Sequence, residues 1–162
     1  MAKVLLSLGS NINRAENIRS CIAALRDHFG EVFCSPVYES EAVGFDGDNF
    51  FNLVVQITTP LSLQNLSNLL RNIEALHGRD RSTPKFSART LDIDILTYNN
   101  CVGNIEGVQL PRNEILKNAF VLQPLADLVP DDLHPQLLTS YKQLWQEYEK
   151  SQQHLWLAEL SV

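Results

Sequence analysis

Apolar and polar positions alternate along this chain in two distinct periods, and the change from one to the other marks its elements. Lys3–Leu8 is a short apolar run that reads as a buried strand, ended by Gly9-Ser10-Asn11. Residues 14–28 switch to helical spacing, with Ile18, Ile22 and Leu25 on one stripe. Glu31–Ser40 reads as a second strand, and residues 42–49, with Gly44, Gly47 and two aspartates, as a loop. Phe50–Thr58 returns to period two: Phe51, Leu53, Val55 and Ile57 share one face, and Phe50, Asn52, Val54 and Gln56 the other. A second helix follows over 62–77, its inner stripe Leu63, Leu66, Leu69, Leu70 and Ile73, stopped by Gly78. Leu91–Tyr98 is the fourth strand. Beyond it, residues 105–135 read as loops around a short helix at Phe120–Leu128. Residues 141–149 read as a surface helix, with Ser140 in N-cap position and Gln143 three residues on.

The order β-α-β-β-α-β predicts an α+β fold. It is the ferredoxin-like sandwich, an antiparallel sheet with helices packed on its faces, here with a C-terminal helical extension. A length of 162 residues suits one domain, 1–162, with one sizeable core. No apolar run approaches the length a bilayer requires, and the N-terminal residues turn polar too soon for a signal peptide, so a cytoplasmic protein is expected. Cys21, Cys34 and Cys101 have no metal-ligand spacing and read as reduced structural thiols.

The net charge of −6 argues against a nucleic-acid partner, which selects a basic face. The charge is uneven, however. Residues 79–89 hold Arg79, Arg81, Lys85 and Arg89, four of the thirteen Lys and Arg residues, against the single Asp80. A basic loop on an acidic protein points to a small, highly charged ligand, and guanidinium forks match phosphate oxygens in pairs. Directly after it comes Asp92-Ile93-Asp94-Ile95. Strand period two puts both carboxylates on one face and turns Leu91, Ile93 and Ile95 into the core. Such a pair repels itself and calls for a cation. Hard oxygen donors suit Mg²⁺, which keeps waters and takes further ligands from phosphates. An Asp-x-Asp alone also describes two solvated aspartates; the preceding cationic loop is what favours phosphoryl chemistry. With no glycine-rich phosphate cradle, side chains must hold the nucleotide. Phe50 and Asn52 share a strand face, where a ring can stack on a flat heterocycle and an amide can read its edge. Ordinary sheet packing has the same pattern.

Taken together, Ser7-Leu8-Gly9-Ser10-Asn11, Val37-Tyr38-Glu39-Ser40, Phe50-Phe51-Asn52, Ile73-Glu74 through Gly78-Arg79-Asp80-Arg81, Ala88 to Leu96 and Phe120 to Leu125 make the chain similar to the 6-hydroxymethyl-7,8-dihydropterin pyrophosphokinases of folate biosynthesis. The resemblance spans about residues 3–130. It implies transfer of the β,γ-pyrophosphoryl group of ATP to the hydroxymethyl of a reduced pterin, with release of AMP. It also implies Asp92 and Asp94 as ligands of two Mg²⁺ ions, and Arg79 and Arg89 as clamps on the triphosphate in the catalytic set. Glu74, Arg81, Lys85, Phe86, Ile95 and Arg112 fall at the ATP, with Phe86 where the family often has a tryptophan. Ser40, Val43, Phe50, Asn52 and Phe120 fall at the pterin, two rings sandwiching it and an amide reading it. Loops near 42–49 and 82–90 correspond to lids that order on binding. A monomer working on ATP and the pterin, with neither nucleic acid nor membrane as partner, is expected.

The chain also departs from the family pattern. Pro111-Arg112 stands for a usual Pro-His, Asn118 for an arginine, and Glu41-Ala42 for two prolines. These leave open a second reading, a diverged paralogue that binds nucleotide or pterin but transfers weakly or acts on a related heterocycle. A third, a ferredoxin-like RNA-binding module, would need a basic sheet with a Lys/Arg-Gly-Phe pattern, and neither is present.

Overall fold

The computed structural model describes residues 1–42, 47–78 and 91–162. Strand β1 (Ala2–Ser10) leads into helix α1 (Arg14–Phe29), two short strands β2 (Phe33–Cys34) and β3 (Tyr38–Ser40), and the long strand β4 (Phe50–Thr59). Helix α2 (Leu63–Leu76) and strand β5 (Asp92–Tyr98) complete the βαββαβ unit. The remainder is a hairpin of β6 (Gly103–Ile105) and β7 (Val108–Leu110), helices α3 (Glu114–Lys117), α4 (Ala119–Leu128) and α5 (Tyr141–Glu147), a 3₁₀ turn (Lys150–Gln152) and strand β8 (Leu155–Leu157).

The sheet is antiparallel with strand order β5-β1-β4-β3-β8, and β2 also pairs with β4. The chain therefore has the α+β, ferredoxin-like architecture. Each strand face carries its own core. Leu6, Leu8, Phe51, Leu53, Val55, Ile57, Ile93 and Ile95 pack with Ile18, Ile22 and Leu25 of α1 and with Leu66, Leu70 and Ile73 of α2. On the opposite face Leu5, Val54 and Leu96 pack with Val121, Leu122 and Leu125 of α4 and Tyr141 of α5. Leu96 reaches this side by the alternation that turns Ile95 the other way, and the ladder shifts register there: Leu6 pairs with Ile95 but Leu5 with Thr97.

Several elements differ from the sequence expectations. The second strand is split, because Ser35-Pro36-Val37 breaks the ladder. Pro36 has no N–H to give, and Ser35 Oγ accepts from Val54 N at 3.0 Å in place of a backbone carbonyl. Gly9-Ser10 lies inside β1 and does not end it. The C-terminal extension is not purely helical: β8 adds a strand to β3, with Tyr38 opposite Leu157 and Ser40 opposite Leu155. Helix α5 stops at Glu147 and is anchored by a buried Tyr141, so it is no mere surface helix. Its Ser140 cap is as expected, accepting from Gln143 N at 3.2 Å, and Ser62 caps α2 in the same way. Gly78, at φ 82°, follows the end of α2. The three cysteines are free, and burial pushes the Cys21 thiol up to about 12, the environment of a packing residue. Among the described residues no helix is long and apolar enough to cross a membrane.

Candidate active site

Strand β5 lies at the edge of the sheet, so one row of its backbone groups has no strand partner among the described residues. Two contacts take up that edge. Ile93 N donates to Glu74 Oε2 at 2.9 Å, and Leu96 O accepts from Arg112 N at 2.9 Å. Glu74 sits near the C-terminal end of α2 and is buried, 2% exposed. It ties the helix to the strand that carries the acid pair. With Ile93 and Ile95 held in the α1/α2 core, Asp92 and Asp94 emerge on the other face.

The Asp94 side chain is partly exposed, at 31%. Its carboxyl is pushed up to about 7, first by burial and then by the neighbouring charge of Asp92. Arg112 pulls it the other way, and Glu74 and Glu114 add to the rise. Arg112 Nη2 lies 3.5 Å from Asp94 Oδ1, while its Nε and Nη2 are 3.1 and 3.3 Å from the carboxylate of Glu114. The cation is thus shared between two acids and incompletely neutralises either.

The row of residues across the sheet gives the site its shape. Asp92 pairs with Gly9, Gly9 with Asn52, and Asn52 with Tyr38; the next row pairs Asp94 with Ser7 and Ser7 with Val54. Directly paired residues share a face. Asp92 and Asn52 are therefore two strand spacings apart, about 10 Å, on one surface with a glycine between them. Asn52 is 4% exposed and donates from Nδ2 to Ser40 Oγ at 3.0 Å. A Cβ on Gly9 would stand 2.9 Å from Asn52 Oδ1, so only glycine leaves the amide where it is. Phe50 pairs with Ser40 at the near end of β4 and is half-buried. Phe120, in the first turn of α4, packs at the margin of the second core and is partly exposed.

The chain entering β4 is held from the α1 side. Arg14 Nη1 donates to Asn49 O at 2.8 Å, its guanidinium lies 3.8 Å over the Phe51 ring, and it pairs with Glu39 at 3.3 Å. Asn49 Nδ2 donates to the same Glu39 carboxylate at 3.0 Å, and Asn11 Nδ2 to Asp48 O at 3.1 Å.

Of the residues singled out by sequence, Asp92, Asp94, Asn52 and Ser40 come together on one face, with Arg112 beside the acids. Ile95 points its side chain into the core, away from them. Glu74 is also turned to the helical side, bonded to the strand backbone. Asn118 is the N-cap position of α4 and its side chain makes no capping bond. Val43, Arg79, Arg81, Lys85, Phe86 and Arg89 lie outside the described residues, as do most of the expected lids. Sequence reasoning missed Gly9 as a spacer; its signal was a glycine within an otherwise apolar strand.

Whether Mg²⁺ fits is a question of donors. Among the described residues no group of three His, Cys, Asp or Glu could hold a metal. Two carboxylates on one face, with Arg112 the cation beside them among the described residues, form an oxygen-only donor pair. That matches an ion which retains waters and phosphate ligands and does not suit an all-protein cage.

Comparison with known proteins bears on the same residues. Residues 5–130 match the model of the 7,8-dihydro-6-hydroxymethylpterin-pyrophosphokinase (HPPK) family. The chain is 35% identical over 137 residues to the 2-amino-4-hydroxy-6-hydroxymethyldihydropteridine pyrophosphokinase of Aquifex aeolicus, covering 83% of this chain and 85% of that one. It is 37% identical over 129 residues to the Bacillus subtilis protein of the same name, covering 76% and 75%. Among solved structures, Plasmodium falciparum HPPK-DHPS with pteroate superposes with a TM-score of 0.70 at 16% identity. That match covers 90% of this chain but only 42% of the Plasmodium chain, so it speaks to the fold alone.

Proposed function

The chain belongs to the 7,8-dihydro-6-hydroxymethylpterin-pyrophosphokinase family, and from that membership we propose that it transfers the β,γ-pyrophosphoryl group of ATP to the hydroxymethyl oxygen of 6-hydroxymethyl-7,8-dihydropterin. The new bond joins that oxygen to the β-phosphorus, the bond from the α,β-bridging oxygen to the β-phosphorus breaks, AMP leaves, and the hydroxyl proton is lost.

The observation that carries this reading is the row Asp92–Gly9–Asn52 across one sheet face. It sets an anionic metal-type site and a buried amide about two strand spacings apart, with only the backbone of Gly9 between them. A flat heterocycle read at Asn52 can lay its hydroxymethyl arm over Gly9 toward phosphates gathered at Asp92 and Asp94. Phe50 and Phe120 wall the heterocycle, and Ser40 fixes the Asn52 amide so that its oxygen stays presented. Asp92 and Asp94 would hold Mg²⁺, two ions by family likeness, which would supply neutralisation of the phosphate charge. Arg112 supplies a further cation beside them. Glu74 acts by fixing β5, and any part that Ile95 plays toward the nucleotide belongs to its backbone. Arg79, Arg81, Lys85, Phe86, Arg89 and Val43 take the roles that the resemblance implies. Residues 1–162 work as one domain, a cytoplasmic monomer whose partners are ATP and the pterin.

The direct test incubates the protein with ATP, Mg²⁺ and the reduced pterin and follows AMP and pterin diphosphate. Stoichiometric formation of both is expected, with Asp92→Ala and Asp94→Ala folded but inactive and weak in Mg²⁺-dependent ATP binding. Turnover of either variant near that of the parent protein removes the metal assignment. Pterin and nucleotide binding without AMP release would overturn the transfer reading.

A further inference from the structure

Helix α4 carries Phe120 one residue inside its start, and the first N–H groups of a helix have no partner within it. Asn118, at the N-cap position, does not supply one. The partner comes from 34 residues away: Ala119 N donates to Gln153 Oε1 at 2.8 Å. The same side-chain amide donates from Nε2 to Asn118 Oδ1 at 3.1 Å and to Lys117 O at 3.3 Å. Tyr148 Oη donates to Lys117 O at 2.7 Å. Four bonds thus converge on the three residues immediately before Phe120.

The segment that provides them is itself secured. The Tyr148 ring stacks on Trp145 with centroids 5.6 Å apart, and Lys150 Nζ donates to Trp145 O at 2.7 Å while lying 4.7 Å over its ring. A few residues on, Leu155 pairs with Ser40, whose Oγ accepts from the Asn52 amide. One stretch, residues 148–157, therefore grips both the backbone leading into Phe120 and the strand behind Asn52. All of it lies beyond the residues 5–130 that match the family model.

We propose that Gln153 is a positioning residue for the heterocycle end of the site: by capping α4 it sets the Phe120 ring against the Asn52 face, and so tunes pterin recognition without touching the pterin. This rests on the reading that Phe120 and Asn52 bind the pterin. The phosphate end is tied down separately, by the bonds of Glu74 and of Arg112 N to the β5 backbone, so the two ends respond differently.

The test is calorimetric titration of Gln153→Ala with 6-hydroxymethyl-7,8-dihydropterin and, separately, with Mg²⁺ and a non-transferable ATP analogue, alongside steady-state kinetics. Loss of the cap should weaken pterin binding about 2- to 30-fold. ATP affinity and kcat at saturating pterin should stay within about twofold, a margin for surface changes. Tyr148→Phe, which removes only the hydroxyl bond to Lys117 O, should shift pterin affinity less and in the same direction, and it carries the test if Gln153→Ala does not fold. Phe120→Ala is the reference. If Phe120→Ala leaves pterin binding intact, the underlying reading fails. If Phe120→Ala weakens it while Gln153→Ala and Tyr148→Phe do not, or if those two weaken both ligands equally, the positioning role is overturned. Adding Gln153→Ala to Phe120→Ala should cost pterin binding nothing more; a further full loss also overturns it.

Discussion

Gly9→Ala is a one-methyl test of how the site is built. The backbone of Gly9 is paired on both sides in ordinary strand register, so alanine meets no backbone obstacle there. The obstacle is the side chain opposite. The new Cβ would stand 2.9 Å from Asn52 Oδ1, half an ångström short of the 3.4 Å at which ordinary contact begins. Asn52 is 4% exposed and its Nδ2 already sits at 3.0 Å from Ser40 Oγ. The amide must therefore turn away from Ser40, leaving a buried polar group unsatisfied at about 1–3 kcal/mol. That is about a 5- to 150-fold loss of pterin affinity. The ligand-free protein should also lose about 2–10 °C in Tm at this chain length. The assay is a double-mutant cycle with Asn52→Ala, reading Tm without ligand and pterin affinity by titration. Once Asn52 is truncated, the added methyl has nothing to strike, so Gly9→Ala should cost little there, with a coupling of about 1–3 kcal/mol. A Tm or pterin loss of equal size in both backgrounds would refute the reasoning, because the methyl would then act directly on the ligand or the backbone. Equal loss of ATP affinity would also count against it.

Two further outcomes follow from the acid end. Arg112→Ala should have opposite effects on two titrations: Mn²⁺ binding without nucleotide should tighten, since the competing cation at Asp94 is gone, and ATP affinity should fall. An unaltered ATP dissociation constant would make Arg112 a counter-ion only, and Asn118→Arg should then bring no gain. For Asp94, a folded carboxyl raised above its unfolded value means that the native state holds the extra proton. Metal-free stability should therefore fall as pH rises from about 4 toward 7 and level off above, where the charged form bears its full cost. Asp94→Asn should remove that component of the slope in pH-dependent denaturant melts; an unchanged slope would show that Asp94 ionises normally.

Sequence legibility followed the range of the interactions. The alternation of β4 and the stripes of α1 and α2 were readable because periods of two and 3.6 are local geometry, and the Ser140 cap because a hydroxyl three residues before a free N–H is a local bond. The hairpin of β6 and β7 escaped because three-residue strands show no period, and its Glu106-Gly107 turn lacks the usual asparagine. The split at Pro36 was visible in principle, since proline cannot donate to a ladder.

By itself the sequence determined the periodic elements, their βαββαβ order, the shared face of Asp92 and Asp94, and the motifs that identify the family, all of which depend on neighbours within a few residues. Only the tertiary structure decided the rest. It covered the second face of the sheet with α4 and α5, so that Val54 and Leu96 are core. It placed Gly9 between Asp92 and Asn52, turned Glu74 onto Ile93, shared Arg112 between Asp94 and Glu114, and brought Gln153 to Ala119. Each of these is a contact between residues on different elements or at a turn between them. Its partner is chosen by how layers pack and strands register, which no periodicity along the chain records.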